Sequence, residues 1–268
     1  MRTVGVIPAR LQSTRLTHKM LLAETGWPLV RYAWEAAAKS RALSDLIVAT
    51  DSAEIAEVVR GFGGRCELTG DVPSGTDRVA EIARRVCPDA DVLLNIQGDE
   101  PEIDPGNIDA LVAAIRDFPG AEMATLASPL TKFEELADPS CVKVVLAADG
   151  RALYFSRSMI PFSRDDSPET LLAAGDSPWL LHMGLYAYRR EFLLDVASRP
   201  QCRLEQVEKL EQLRALDMGA RIQVAVVEHR SVGIDTPDDY ARFVKRQRAK
   251  TVCDAVRTET ASAERRAC

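Results

Sequence analysis

The run Asp45–Arg60, DLIVATDSAEIAEVVR, reads first as a strand and then as a helix. Its opening six residues, DLIVAT, are a short apolar stretch, whereas Ala53–Arg60 spaces its apolar residues at helical intervals. The same succession surrounds it. TVGVI (Thr3–Ile7) precedes a helical pattern over Leu29–Ser40, and DVLLNIQ (Asp91–Gln97) is the next apolar run to end in polar residues. Alternation of this kind predicts βαβ units and a Rossmann-like α/β fold, with a largely parallel sheet covered on both faces. Further along, CVKVVLAADGRALYFSR (Cys141–Arg157) reads as two strands turning at Asp149–Gly150, an antiparallel element in an otherwise parallel, hence mixed, sheet. Ser158–Trp179 is polar and proline-punctuated and reads as a long loop of the kind that forms lids. LLHMGLYAY (Leu180–Tyr188) returns to strand, and Leu204–Gly219 reads as one helix closed by Gly219. IQVAVV (Ile222–Val227) is the last strand, and DTPDDY opens a final helix.

The chain has 268 residues, a net charge of -6 and a hydrophobic fraction of 46%. That length and composition fit one large domain over 1–248, with halves of about 1–130 and 131–248, and a tail over 249–268 too poor in large apolar residues to be expected to order. The acidic balance argues against broad nucleic-acid or anionic-membrane binding, and no apolar run is long enough to span a bilayer. The start of the chain passes straight into a strand, so no signal peptide is expected. The six cysteines and three histidines are dispersed, which predicts neither a zinc site nor a disulfide framework and fits a reducing, cytosolic setting.

Against that acidic background one stretch stands out. IPARLQSTRLTHK (Ile7–Lys19) carries Arg10, Arg15 and Lys19, and no carboxylate occurs before Glu24. Pro8 is expected to end the first strand at the carboxyl edge of the sheet, where open α/β sheets place their ligands. Three cations without counter-charge on that loop predict a local polyanion site. Neither glycine-rich phosphate motif is present. GFGG (Gly61–Gly64) follows a helix instead of opening one and reads as a helix end and turn.

Other polar residues emerge at the same edge. NIQGDEP brings out Gln97 and Asp99, and Asp99 is either a ligand for a hard divalent cation or simply part of a turn before Pro101. In GIDTPDDY, Thr236 as N-cap, Pro237 at N1 and Asp239 at N3 make a complete helix start that leaves Asp235 free for a metal. The competing register makes Asp235 itself the cap. SGTDR places Ser74 and Asp77 as a capping box ahead of a helix with Val79, Ile82, Ala83 and Val86 on one face. Its N-terminus, with Gly75 and Arg78, is also suited to meeting a base or a phosphate.

Taken in order from about Thr3 to Arg248, these motifs closely resemble the 3-deoxy-manno-octulosonate cytidylyltransferases. Those that carry the resemblance are IPARLQSTRL..K, VATD, SGTDR, NIQGDEP, VKVVLAADGRALYFSRSMIPFSR, HMGLYAYRREFL, LEQVEKLEQLRAL and GIDTPDD. The resemblance implies a glycosyltransferase-A-like nucleotidyltransferase fold, a homodimer, and Mg²⁺-dependent transfer of CMP from CTP to 3-deoxy-D-manno-octulosonate (Kdo) in the cytoplasm, for lipopolysaccharide or a related surface glycan. It implies that Arg10, Arg15 and Lys19 hold the triphosphate, with Lys19 and Arg15 catalytic, and that Ser74, Arg78 and Gln97 serve the nucleotide. Asp99 and Asp235 would be catalytic through Mg²⁺. Gln97, Arg157, His182, Tyr186, Glu211 and Gln212 would hold the sugar. Without the resemblance, His182 reads as a core residue and Glu211 and Gln212 as a solvated helix face, whereas Tyr186 shares a strand face with His182. Alternative acceptors are an 8-amino Kdo analogue or a nonulosonate, and a metal-dependent glycosyltransferase is a more distant alternative. The chain departs from the family around Lys19: Thr17 and His18 stand where the family usually has Pro-Gly, and Met20 where it has proline.

Overall fold

The computed structural model describes residues 1–13, 15–175 and 177–250. In chain order the elements are β1 (Thr3–Ala9), α1 (Leu29–Ala37), β2 (Asp45–Thr50), α2 (Ala53–Gly61), β3 (Arg65–Leu68), α3 (Gly75–Arg85), β4 (Val92–Asn95) and α4 (Pro105–Asp117). They continue with β5 (Met123–Pro129), α5 (Phe133–Ala137), β6 (Lys143–Leu146), β7 (Ala152–Ser156), α6 (Pro168–Ala173), β8 (Leu180–Arg189), α7 (Arg190–Ser198), α8 (Arg203–Glu208), α9 (Gln212–Asp217) and β9 (Ile222–Val226). A last helix, α10, covers residues 237–250.

The main path of the sheet runs β3-β2-β1-β4-β8-β5-β9. β8 alone runs against the others on this path, pairing antiparallel with both β4 and β5. Strand alternation divides the core: Ile7, Val48 and Leu94 face α2 and α4, whereas Val6, Ile47 and Leu93 face α3, α7 and α9. The result is a three-layer α/β sandwich with a mixed, mainly parallel sheet. β6 and β7 form the expected antiparallel hairpin, and β6 attaches it to β8. Gly150 turns that hairpin at φ 78, where a Cβ would lie 2.7 Å from Gln223 Nε2.

Three expectations need correction. Pro8 does not end β1, which continues to Ala9 beside β2. The Val6 carbonyl accepts from the Ile96 N–H, so Pro8, two residues on, turns its backbone the same way, beyond the last β4 pair at Val6↔Asn95. Its missing N–H therefore breaks no ladder. Second, the Ser158–Trp179 segment contains α6, capped by Ser167 with Pro168 in its first turn. Third, Leu204–Gly219 is two helices, because Lys209 adopts the left-handed conformation at φ 54. The break frees the Glu208 carbonyl to accept from Arg157 Nε at 2.7 Å, while the Glu208 carboxylate accepts from Ser156 Oγ and the Arg157 N–H. These tertiary bonds replace helical continuity. Gly219 does close α9, at φ 80, and GFGG is a helix end and turn with Gly63 at φ 86. From residue 251 on, the tail lies outside the described residues, while 249 and 250 continue α10.

Candidate active site

The loop after β1 ends in a single 3₁₀ turn, Lys19–Leu21, and His18 enters it in the left-handed conformation at φ 51. At that φ, His18 carries a backbone cost that glycine would not. The turn drives Lys19 inward until its side chain is only 9% exposed. There Lys19 Nζ donates to Asp99 Oδ2 at 2.7 Å and to Asp235 Oδ1 at 3.1 Å. Arg15 approaches the other oxygen of Asp235, Oδ2, at 3.2 Å.

Asp99 and Asp235 reach this point from opposite ends of the chain. Asp99 follows β4, and its carbonyl accepts from the Ile234 N–H at 2.9 Å. Asp235 is delivered by the start of α10: Thr236 Oγ1 accepts from the Asp239 N–H, and Asp239 Oδ2 accepts from the Thr236 N–H. Thr236 is therefore the cap and Asp239 completes the box, which decides between the two registers and leaves the Asp235 carboxylate to Lys19 and Arg15. Leu29, Ile234, Tyr240 and Phe243 pack together with Leu16 and Leu22, so α10 is fastened to the loop that carries the cations. Arg10, Arg15, Lys19, Gln97, Asp99 and Asp235 all line one cleft of about 390 Å³ at the carboxyl ends of β1 and β4.

The expected nucleotide residues divide. Gly75 also lines the cleft, and Ser74 beside it makes a full capping box with Asp77. Arg78 is fully buried, donates to Thr69 Oγ1, and holds Asp51 Oδ2 at 2.7 Å. It braces the loop before α3 from beneath and does not line the cleft. Arg10 Nη2 donates to the Val72 carbonyl of the same loop. Gln97 Nε2 donates to the Gly184 carbonyl, tying the end of β4 to β8.

The expected sugar residues form a second cluster on β8 and α9. His182 Nε2 lies 3.0 Å from Thr125 Oγ1, its ring stands between those of Phe155 and Tyr186, and Tyr186 donates to Gln212 Oε1. Glu211 accepts from Thr76 Oγ1 at 2.7 Å, which links the cluster to the first turn of α3. Burial holds His182 neutral by lowering its pKa to about 3, and burial likewise pushes the Tyr186 hydroxyl well above its ordinary range. Arg157 is engaged otherwise: its guanidinium donates to the carbonyls of Glu208 and Pro139. That makes it a strut between β7 and the α8–α9 break.

Glu100 was not anticipated. Burial raises its pKa to about 7, an effect increased by the charge of Asp99 and opposed by a hydrogen bond from Ser231. Its place in GDEP, directly after Asp99, was the available signal.

An α/β sheet that gathers loop cations and two carboxylates at its carboxyl edge is the framework of a nucleotidyltransferase, and residues 4–222 match the cytidylyltransferase family. A 3-deoxy-manno-octulosonate cytidylyltransferase of Rhodopirellula baltica is 48% identical over 247 residues, 92% of this chain and 98% of that protein. One from Geobacter sulfurreducens is 44% identical, covering 92% and 99%. A solved structure of CMP:2-keto-3-deoxy-manno-octonic acid synthetase complexed with CTP superimposes with a TM-score of 0.86 at 37% identity, covering 93% of this chain and all of that one. The chain belongs to the 3-deoxy-manno-octulosonate cytidylyltransferase family.

Proposed function

We propose that this protein transfers CMP from CTP to the anomeric 2-hydroxyl of Kdo and releases pyrophosphate. The observation that carries the reading is the meeting of Arg15, Lys19, Asp99 and Asp235 in one cleft, in a chain 48% identical to a protein of that name. Attack by the sugar hydroxyl on the α-phosphorus builds charge on the phosphoryl oxygens and on pyrophosphate. Arg10, Arg15 and Lys19 would hold that charge, so positioning and electrostatics carry the chemistry without a covalent nucleophile. Gln97 and the first turn of α3 would hold the nucleoside, with Arg78 and Ser74 shaping that turn. His182, Tyr186, Glu211 and Gln212 would bind the sugar, with neutral His182 acting as a hydrogen-bonding group and not as a charge. Arg157, whose planar fork suits the sugar carboxylate, would have to give up the backbone carbonyls it now holds.

Mg²⁺ fits the donor set. Asp99 and Asp235 already share one cation, the Lys19 ammonium, and two carboxylates beside triphosphate oxygens suit that ion. When bound it would neutralise developing charge on the phosphates and lower the pKa of the attacking hydroxyl.

A homodimer is supported by exposed large apolar residues on β7 and in the segment after it, where Leu153 and Met159 are exposed and Phe162 is 86% exposed. A cytoplasmic setting is supported by the need for CTP, and no helix among the described residues is long and apolar enough to cross a membrane.

Pyrophosphate release measured with CTP, Mg²⁺ and Kdo, against other nucleotides, 8-amino-Kdo and nonulosonates, tests the reading. The expected result is release that depends on CTP and Kdo together. Preference for another acid sugar would move the assignment within the class, and consumption of CMP-Kdo without pyrophosphate chemistry would refute it.

A further inference from the structure

Thr76 is the second residue of α3, directly after Gly75, and is 8% exposed. Gly75 lines the nucleotide cleft, but Thr76 does not. Nor is its hydroxyl needed as a cap, because Ser74 and Asp77 already complete the box that opens the helix. The Thr76 side chain turns instead to the second cluster, where Oγ1 donates to Glu211 Oε2 at 2.7 Å. A bond across 135 positions thus ties the first turn of the nucleotide-side helix to the start of α9.

Glu211 is exposed and depends on that bond. Among the described residues the Thr76 hydroxyl is the one group that hydrogen-bonds the Glu211 carboxylate, and it takes Oε2 alone. Arg214, the cation nearly one turn on, is committed elsewhere: Nε and Nη2 hold the Glu205 carboxylate, and Nη1 holds the Val196 and Arg199 carbonyls. A long carboxylate side chain left to itself samples several rotamers, and a ligand that needs one of them bears the ordering cost. One bond from a buried hydroxyl meets that cost beforehand and leaves Oε1 for a ligand. The cluster around Glu211 also adjoins the cleft. Its neighbour Gln212 is held by Tyr186 on β8, and Gln97, which lines the cleft, donates to the Gly184 carbonyl of the same strand.

We infer that Thr76 is a positioning residue for the sugar: its hydroxyl fixes one oxygen of Glu211 and so sets the other to accept from a hydroxyl of Kdo. This assignment rests on the Kdo reading above. Its test uses the full-length wild type with Thr76→Val, which keeps the shape of the side chain without the hydroxyl, and Thr76→Ser, which keeps the hydroxyl. Melting temperature, CTP affinity by calorimetry, and kcat and KM for Kdo at saturating CTP and Mg²⁺ are measured for each. In Thr76→Val the KM for Kdo should rise roughly three- to thirtyfold, the size of one lost hydrogen bond. CTP affinity should stay within about twofold, since Thr76 lies outside the lining of the cleft. Thr76→Ser should bring the KM back to within about threefold of wild type. Glu211→Ala alone should raise the KM for Kdo, and adding Thr76→Val to it should change that value by less than about twofold, because Thr76 acts through Glu211. An unchanged KM for Kdo in Thr76→Val, a loss that Thr76→Ser does not recover, or losses that multiply in the double variant would overturn the inference. Should Thr76→Val not fold, Thr76→Ala takes its place in the same cycle. Wild-type protein that releases no pyrophosphate with Kdo would refute the underlying function, and this assignment with it.

Discussion

Lys19→Met is the perturbation that most directly questions the proposed centre. In the structure one ammonium answers two carboxylates, at 2.7 and 3.1 Å, from a side chain that is 9% exposed. Breaking a fully buried pair costs about 3–5 kcal/mol. Asp235 is 44% exposed and also meets Arg15, so solvent and Arg15 compensate part of the loss, and a cost of about 1–3 kcal/mol is expected. For a chain of this size that lowers the melting temperature by roughly 3–10 °C. The second consequence has the opposite sign. A divalent ion that takes both carboxylates must displace the Lys19 ammonium in the wild-type protein, but meets no competitor in Lys19→Met. Without nucleotide, Mg²⁺ or Mn²⁺ should therefore bind the variant about 5- to 150-fold more tightly, the same free energy read as affinity, and should restore its lost thermal stability. Turnover should nevertheless fall at least about a hundredfold, because the triphosphate loses a cation. Calorimetric titration of metal into nucleotide-free protein, paired with melting curves at zero and saturating metal, gives both numbers. Unchanged metal affinity together with an unchanged melting temperature would refute the view that Lys19 occupies the metal position.

Asp99→Asn and Asp235→Asn should each abolish most product formation while leaving CTP affinity largely intact; normal turnover in both would remove the metal assignment. His182 gives a pH signature. Its folded pKa, lowered by burial to about 3, lies below the unfolded value near 6.5, so its stabilising contribution is complete above pH 6.5 and is lost as pH falls. Between pH 6.5 and 4 that loss amounts to at most roughly 3 kcal/mol, and His182→Gln should flatten this part of the stability profile measured by urea unfolding. Gly150→Ala forces a methyl to within 2.7 Å of Gln223 Nε2 at positive φ, and should destabilise by roughly 1–3 kcal/mol, visible as an earlier thermal transition. Phe162→Glu should convert a dimer to monomer by sedimentation, and a monomeric wild-type protein would refute that assignment.

The features legible in the sequence were those whose causes are local. The capping boxes at Ser74 and Thr236, the turn at Gly150, and the strand–helix alternation each depend on residues within a few positions of one another. α6 carries an equally local signature, a Ser-Pro start, and it was overlooked within a segment that looked uniformly irregular. What could not be read is long-range. Nothing near Leu180–Arg189 tells that this strand enters between β4 and β5 in reverse. The helix break at Lys209 depends on Arg157 and Ser156, some fifty residues away. The burial of Arg78 depends likewise on Asp51 and Thr69. Motifs located the cations and carboxylates of the cleft, but their pairing through Lys19 is a property of the folded chain alone.

That pairing joins Lys19 to Asp235 across 216 positions. A chain emerging from the ribosome would thus have made every strand of its sheet before Asp235 existed, and the positive loop near its beginning would wait for that carboxylate. On the proposed reading the centre is completed only at the final stage of biosynthesis, and a product stalled before the last helix would carry the positive loop and Asp99 but lack the carboxylate that Lys19 and Arg15 share.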